Sequence, residues 1–373
     1  MALNQVGLER LGTSVTDKIG ENKNLIINGA MNVAQRGTSS TGLSANGYYT
    51  LDRFQVFMGS TDGRVTMSQV ADVHDGFANA LKFECTTADT SIGASENLGV
   101  RTLLEGQDLQ QIQKGSSGAK QLTLSFYVKG NANATYTCEL NDKDNDRVNA
   151  QTFNVTTSWS RVSLTFAADT TGAFDDDNNA SLQISLWLHA GSTFTSGTFS
   201  SNTWASRVQA NRVNSSQTSF LDSTSRTFFI TGVQLEVGSV ATDFEHRSFG
   251  QELLLCQRYY QRLKVTDGNA GTGILRASNS SNFQQLEGMS QIVKMRAAAS
   301  GSVISSNSTL VTRRLNGSTS DNTCTLSFAG GSADFAHVAF RFTTATGTFT
   351  NTEPYACWDD GNGAIEIQQD AEL

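Results

Sequence analysis

The chain has 373 residues, 27 of them basic and 35 acidic, for a formal charge of −8; no Lys/Arg cluster follows a phosphate backbone, so nucleic acid is not an expected partner. No apolar run approaches the roughly 18 residues of a membrane helix, so membrane insertion is not expected either. One proline, 33 glycines and only 17% charged residues, in a chain rich in Ser, Thr and Asn, exclude a helical protein and point to an all-β one with many short strands.

Residues 1–20 stand apart. Leu3, Val6, Leu8 and Leu11 make one apolar edge of a short helix that Gly12 and Gly20 interrupt. A segment this short cannot hold itself together. It reads as an anchor that orders against a partner or against copies of itself, with a flexible end as the alternative. It lacks the basic start and long apolar stretch of a secretory signal. Five widely spaced cysteines, Cys85, Cys138, Cys256, Cys324 and Cys357, then suggest reduced thiols of a protein made in a cytosol.

Residues 21–247 read as a jelly-roll or Greek-key sandwich. Leu122, Leu124, Phe126 and Val128 share one face of a strand, and Thr123, Ser125, Tyr127 and Lys129 the other. Val162, Leu164 and Phe166 oppose Trp159, Arg161, Ser163 and Thr165; Leu182, Ile184, Leu186 and Leu188 oppose Gln183, Ser185, Trp187 and His189. The run TFFITGVQLEVG closes the domain as its last strand.

A connecting helix follows over 248–263. Ser248 and Gln251 form a capping-box pattern. Phe249, Leu253, Cys256, Tyr260 and Leu263 make an a/d seam of about two heptads. That seam fits an oligomer axis or packing onto the chain's own sandwich. Residues 264–373 read as a second, smaller β-sandwich-like domain, with Val338, Phe340 and Phe342 alternating against Ala339, Arg341 and Thr343.

Several phrases together resemble virion structural proteins of tailed bacteriophages, especially tail fibres and related appendages of marine phages. They are NLIINGAMNVAQRGTS, GYYTLDRFQV, ITGVQLEVGSVATDFEHRSFGQELLLCQRYYQR and the terminal DAEL. The likeness is patchy over the N-terminal third, close over residues 227–262, and general beyond. QLEVG…ATDFE resembles the closing strand and exit loop of carbohydrate-binding-module-like jelly rolls. The resemblance implies a homo-oligomer, usually a trimer, that is assembled in a bacterial cytoplasm, displayed on the virion beside other virion proteins, and often in contact with host glycans.

No H-E-x-x-H, G-x-S-x-G, C-x-x-C or P-loop pattern occurs, and the four histidines are dispersed. No cofactor and no enzymatic activity are therefore expected, although two carboxylates of a glycosidase leave no motif. For glycan binding, aromatic faces stack on sugar rings while amides and hydroxyls bond the sugar hydroxyls. Tyr127, Lys129, Gln183, Trp187 and His189, on the polar faces of two strands, are the candidates. Trp187 carries most interest because outward strand positions are usually polar; a second core layer or a subunit contact is the alternative. Tyr48, Tyr49 and Trp204 are loop candidates, and Trp159 reads as packing. Asp142, Asp144 and Asp146 alternate in NDKDNDR, and Asp175, Asp176 and Asp177 adjoin one another. Clustered loop carboxylates can hold calcium, but the EF-hand pattern fails, so the first run reads as a solvated hairpin turn and no metal is expected. The sequence thus favours a tail fibre or appendage anchored by its N-terminus and facing the host with its β domains. A capsid-bound fibre or decoration protein, a polysaccharide-degrading tailspike and a free-standing carbohydrate-binding protein are the alternatives.

Overall fold

The computed structural model describes residues 23–265 continuously, then 274–276, 284–285, 295–297, 300–303, 309–314, 321–331, 338–344, 354–359 and 365–373. The anchor residues Leu3, Val6, Leu8 and Leu11 lie outside the described residues. The chain divides into two compact units, Met1–Glu252 and Leu253–Leu373.

The first unit is an antiparallel jelly-roll sandwich. Its strands are β1 (Ser39–Leu43), β2 (Gln55–Gly59), β3 (Arg64–Val70), β4 (Ala80–Thr87), β5 (Asn97–Glu105), β6 (Leu122–Gly130), β7 (Ala134–Asp142), β8 (Arg147–Val155), β9 (Ser160–Phe166), β10 (Ala180–Ala190), β11 (Ala205–Ser206) and β12 (Thr227–Val237). They form two six-stranded sheets, ordered β1-β3-β4-β12-β6-β9 and β11-β8-β7-β10-β5-β2. The alternating apolar sets decide which way each strand faces. Leu122, Leu124, Phe126 and Val128 of the first sheet and Leu182, Ile184, Leu186 and Leu188 of the second all enter one core. A one-residue slip would turn every one of them to water, which fixes the register.

The two longest strands of this unit occupy central places. β10 pairs with both β5 and β7, and β12 with both β4 and β6. Within β12 the pairing jumps from Thr231↔Tyr127 to Gln234↔Ser125, so two residues oppose Phe126. Gly232, at φ +63°, is the residue that bulges.

The helix differs from the sequence expectation. Short α1 (Ser192–Thr195) precedes it, and α2 spans Phe249–Gln257 only. Its capping box forms as the sequence indicates: the Ser248 N–H donates to Gln251 Oε1 at 3.1 Å, and the Gln251 N–H to Ser248 Oγ at 3.3 Å. Tyr260 and Leu263 are not helical; they lie on β13 (Tyr260–Val265), where Leu263 pairs with Ile367. Strand pairing overrides the helical spacing there, helped by tyrosine and valine, which favour strands. The two-heptad seam therefore does not exist. Phe249 is 59% exposed, Leu253 half-buried and Cys256 fully buried.

The second unit continues with β14 (Ile274–Arg276), β15 (Gln284–Gln285), β16 (Ser300–Val303), β17 (Thr309–Arg314), β18 (Asp321–Gly331), β19 (Val338–Thr344), β20 (Pro354–Asp359) and β21 (Ile365–Asp370). They form a three-stranded sheet, β13-β21-β16, and a six-stranded sheet, β14-β20-β17-β18-β19-β15.

Candidate functional site

Within the first unit, the segments around residues 24–39, 47–56 and 230–252 that carry the phage resemblance meet in space. Asn24 lies along β12, where its amide donates to the Val233 carbonyl at 3.2 Å and its Oδ1 accepts from the Leu235 N–H at 3.1 Å. The Asn24 N–H donates to Glu245 Oε2 at 2.7 Å, and Arg247 donates to the carbonyls of Asn24 and Ile26. Asn28, at φ +62°, donates its N–H to Glu252 Oε1 at 2.5 Å and bridges the Val33 and Asp52 carbonyls through its amide. On the exit side, Glu236 accepts from the Thr242 N–H and hydroxyl, and Gln234 Oε1 from the Glu245 N–H. These buried polar groups satisfy one another, so the phrases specify how the chain closes the sandwich and leaves it.

That closure draws residues 238–247 across the outer face of the first sheet. Thr123 and Thr165 donate to the Gly238 and Ser239 carbonyls, and Arg161 to that of Thr242. Phe77 and His74, from the β3–β4 connection, meet Tyr127 of β6, and Phe244 and His246 pack on Phe77. Ring centroids lie 4.1 Å apart for His74–Tyr127, 5.5 Å for Phe77–Tyr127, 5.1 Å for Phe77–Phe244 and 4.8 Å for Phe244–His246. Tyr127, Phe77, Phe244 and His74 are half-buried and His246 is exposed. The Arg161 guanidinium sits 5.8 Å from the Tyr127 ring centre. The cluster exists because Gly232 has no side chain: a Cβ there would lie 2.6 Å from Phe77 Cζ and 2.9 Å from Tyr127 Cδ2.

Farther along the same face, Lys129 Nζ lies 4.9 Å from the Phe229 ring centre and 5.4 Å from that of Trp159, and pairs with Asp72 at 2.6 Å. Trp159 and Phe229 meet edge to face at 6.3 Å. Tyr127 and Lys129 therefore belong to one partly open aromatic and cationic surface. Such a surface can stack on apolar ring faces and donate to hydroxyls.

Gln183, Trp187 and His189 are not part of it. They lie on β10, in the other sheet, and all three are buried. Trp187, 3% exposed, is the centre of a small second core with Phe57 and Val213. Its Nε1 donates to Glu139 Oε2 at 3.1 Å, and the Arg212 guanidinium lies 4.8 Å from its ring centre. Arg212 pairs with Glu139 through two bonds of 2.7 Å. The solvent-facing tryptophan expected from alternation is thus covered, because Phe194, Arg212 and Val213 fold back over β10. Gln183 Nε2 donates to Ser185 Oγ at 2.8 Å.

His189 bridges Ser219 Oγ through Nδ1 at 2.8 Å and Glu96 Oε2 through Nε2 at 2.9 Å. The order resembles a hydrolase relay, and His189 and half-buried Ser219 both line a cavity with Ser192, Thr195 and Asn214. Ser219 Oγ also accepts from the Leu221 N–H, and the His189 side chain is itself fully buried.

The aspartates weighed for calcium, Asp142, Asp144 and Asp146, have separate partners. Asp142 is buried against Lys114 Nζ at 2.5 Å, Asp144 accepts from the Asp175 N–H, and Asp146 pairs with Arg207 at 2.5 Å. Among the described residues no three His, Cys, Asp or Glu side chains converge on a metal position. Cys85, Cys138 and Cys256 are buried thiols that form no disulfide. Burial foremost, then Asp222, pushes the Cys85 thiol up to about 11.

Phe77, Phe244, His74 and His246 were not identified from the sequence, since they come from connections with no strand alternation. The DFEH of the exit phrase was the available signal.

No family model matches the sequence, and no curated protein matches it. Solved structures that match include one described as "CBM4 structure and function", at 14% identity and TM-score 0.28, covering 56% of this chain and 97% of that one. A family 11 carbohydrate-binding module from Clostridium thermocellum, in complex with a β-1,3-1,4-mixed-linked tetrasaccharide, matches at 12% identity and TM-score 0.29, covering 55% and 98%. The enzymatically active domain of tailspike protein 4 from bacteriophage CBA120 matches at 12% and 0.30, covering 58% of this chain and 21% of that one. At these values none of them bears on function.

Proposed function

We propose that this is a structural protein of a bacteriophage virion that binds glycans at a host surface without transforming them. The observation that carries the binding part is the partly open ring cluster of Tyr127, Phe77, Phe244, His74 and His246 on the outer face of the first sheet. Rings of this kind stack on the apolar faces of sugars, while Arg161 and Lys129 supply donors at the margins. The virion part rests on the sequence resemblance, whose segments form the interlocked closure of the sandwich. Tail-appendage display, self-association as a trimer and attachment through residues 1–20 belong to the same reading.

The test is Tyr127→Ala, with Phe244→Ala beside it, in a pull-down on host cells and on a panel of neutral oligosaccharides. Each variant should stay folded and lose about 1–3 kcal/mol of binding, roughly 5- to 150-fold. Unchanged binding in both would reject the ring cluster as the site. Reducing ends released from host polysaccharide would reject the non-catalytic reading. Absence of the chain from purified particles by immuno-electron microscopy would reject the virion assignment.

A further inference from the structure

Lys114 lies in the connection between β5 and β6 and points its ammonium into one end of the sandwich. Four oxygens surround Nζ: Asp142 Oδ2 at 2.5 Å, the Thr171 and Gly172 carbonyls at 2.8 Å each, and Asp169 Oδ2 at 3.1 Å. The Phe174 and Trp204 ring centres lie 5.3 and 5.5 Å from the same atom. The side chains of Lys114, Asp142 and Asp169 are at most 4% exposed. A lysine is usually a solvated point charge; this one is enclosed on every side the contacts describe.

We propose that this enclosure is a cation site of ammonium type, which the chain fills with its own Lys114. The donor set decides the class of cation. Asp142 Oδ1 is occupied by the N–H groups of Asp144 and Asn145, and Asp169 Oδ1 by Arg147 and the Thr171 N–H, while the two Oδ2 atoms are shared between Lys114 and, respectively, Asn145 Nδ2 and Arg147 Nε. Four oxygens therefore face the cation, fewer than the six to eight that calcium takes. Two aromatic faces complete the shell, and such faces suit an organic ammonium better than a hard metal. The charge count agrees. Two carboxylates meet Lys114 and Arg147, for a sum of zero; a divalent ion in place of the ammonium would leave an excess positive charge. The site joins the β5–β6 connection, the β7–β8 hairpin and residues 169–174, so its occupant fastens three segments at once. A tethered cation holds them at any external salt, which a soluble ion would not. This site is distant in role from the ring cluster and does not depend on the glycan reading.

Chemical rescue tests it. Lys114→Ala in the full chain should lower the thermal midpoint of the first unit's transition by roughly 5–15 °C. Propylammonium chloride should restore part of that loss, while tetramethylammonium chloride at equal ionic strength, which has no N–H to donate, should not. The unaltered chain should respond equally to both salts. Equal midpoints of the variant in the two salts would overturn the proposal, as would a larger recovery with calcium chloride. Should Lys114→Ala not fold, Lys114→Met with Asp142→Asn is compared with Lys114→Met alone. The proposal requires the pair to be the more stable, because it removes an unmatched carboxylate, and the opposite order would overturn it.

Discussion

Replacing Gly232 by alanine tests how the ring cluster is made. Two costs follow from the structure. The first is backbone: φ is +63°, and an L-residue with a Cβ loses about 1–2 kcal/mol in the left-handed region. The second is contact. The new Cβ would stand 2.6 Å from Phe77 Cζ and 2.9 Å from Tyr127 Cδ2, against an ordinary separation of about 3.5 Å. The rings must retreat by about an ångström, which weakens a pairing worth roughly 0.5–1.5 kcal/mol. Together these give about 2–3 kcal/mol of lost stability, or roughly 1 M in the urea midpoint at a slope near 2 kcal/mol/M. Oligosaccharide affinity should fall with it, by about tenfold for each 1.4 kcal/mol of lost stacking. Gly42 supplies the control. Its φ is +69°, but a Cβ there meets nothing within 4 Å. Gly42→Ala should therefore show the backbone cost alone and leave binding intact. If both variants lose the same stability and bind alike, the glycine does not shape the site and the reasoning fails.

Two other outcomes follow from buried groups. Trp187→Ala should cost about 3–5 kcal/mol in urea unfolding, through the lost ring and the lost Nε1 bond to Glu139, and leave binding at the Tyr127 surface unchanged; a binding defect in a fully stable variant would contradict its burial. Asp169 provides a pH test. Burial pushes its carboxyl up, but bonds from Arg147, the Thr171 N–H and Lys114 outweigh burial and hold it below the ordinary range. A depressed folded value contributes stability above the unfolded value of about 3.9, and that contribution is lost as pH falls through the folded value. Asp169→Asn should accordingly flatten the decline in urea midpoint as pH falls below about 4; an unchanged acid limb would contradict the linkage.

Strand alternation was legible because it is local. Leu122 through Val128 and Leu182 through Leu188 announce their inward faces by a period of two, and the structure places them in one core. The helix start was legible for the same reason: Ser248 and Gln251 are three residues apart and bond only to each other's neighbourhood. Its end was not. The pattern of Tyr260 and Leu263 fits a helix, yet residues near 367 claim them for a strand, and that partner lies about a hundred positions away.

The same division governs the site. Sequence alone determined the sandwich, its outward polar faces and the presence of Tyr127 and Lys129 on one of them, because side-chain direction in a strand follows from position parity. Only tertiary structure decided which outward face stays open. Arg212 and Val213 return to cover Trp187, whereas residues 238–247 bring Phe244 and His246 against Phe77, whose ring meets a Tyr127 that stays half-buried. A connection's path depends on buried polar groups finding distant partners, as Asn24 finds Val233 and Arg247, and no local period records that choice.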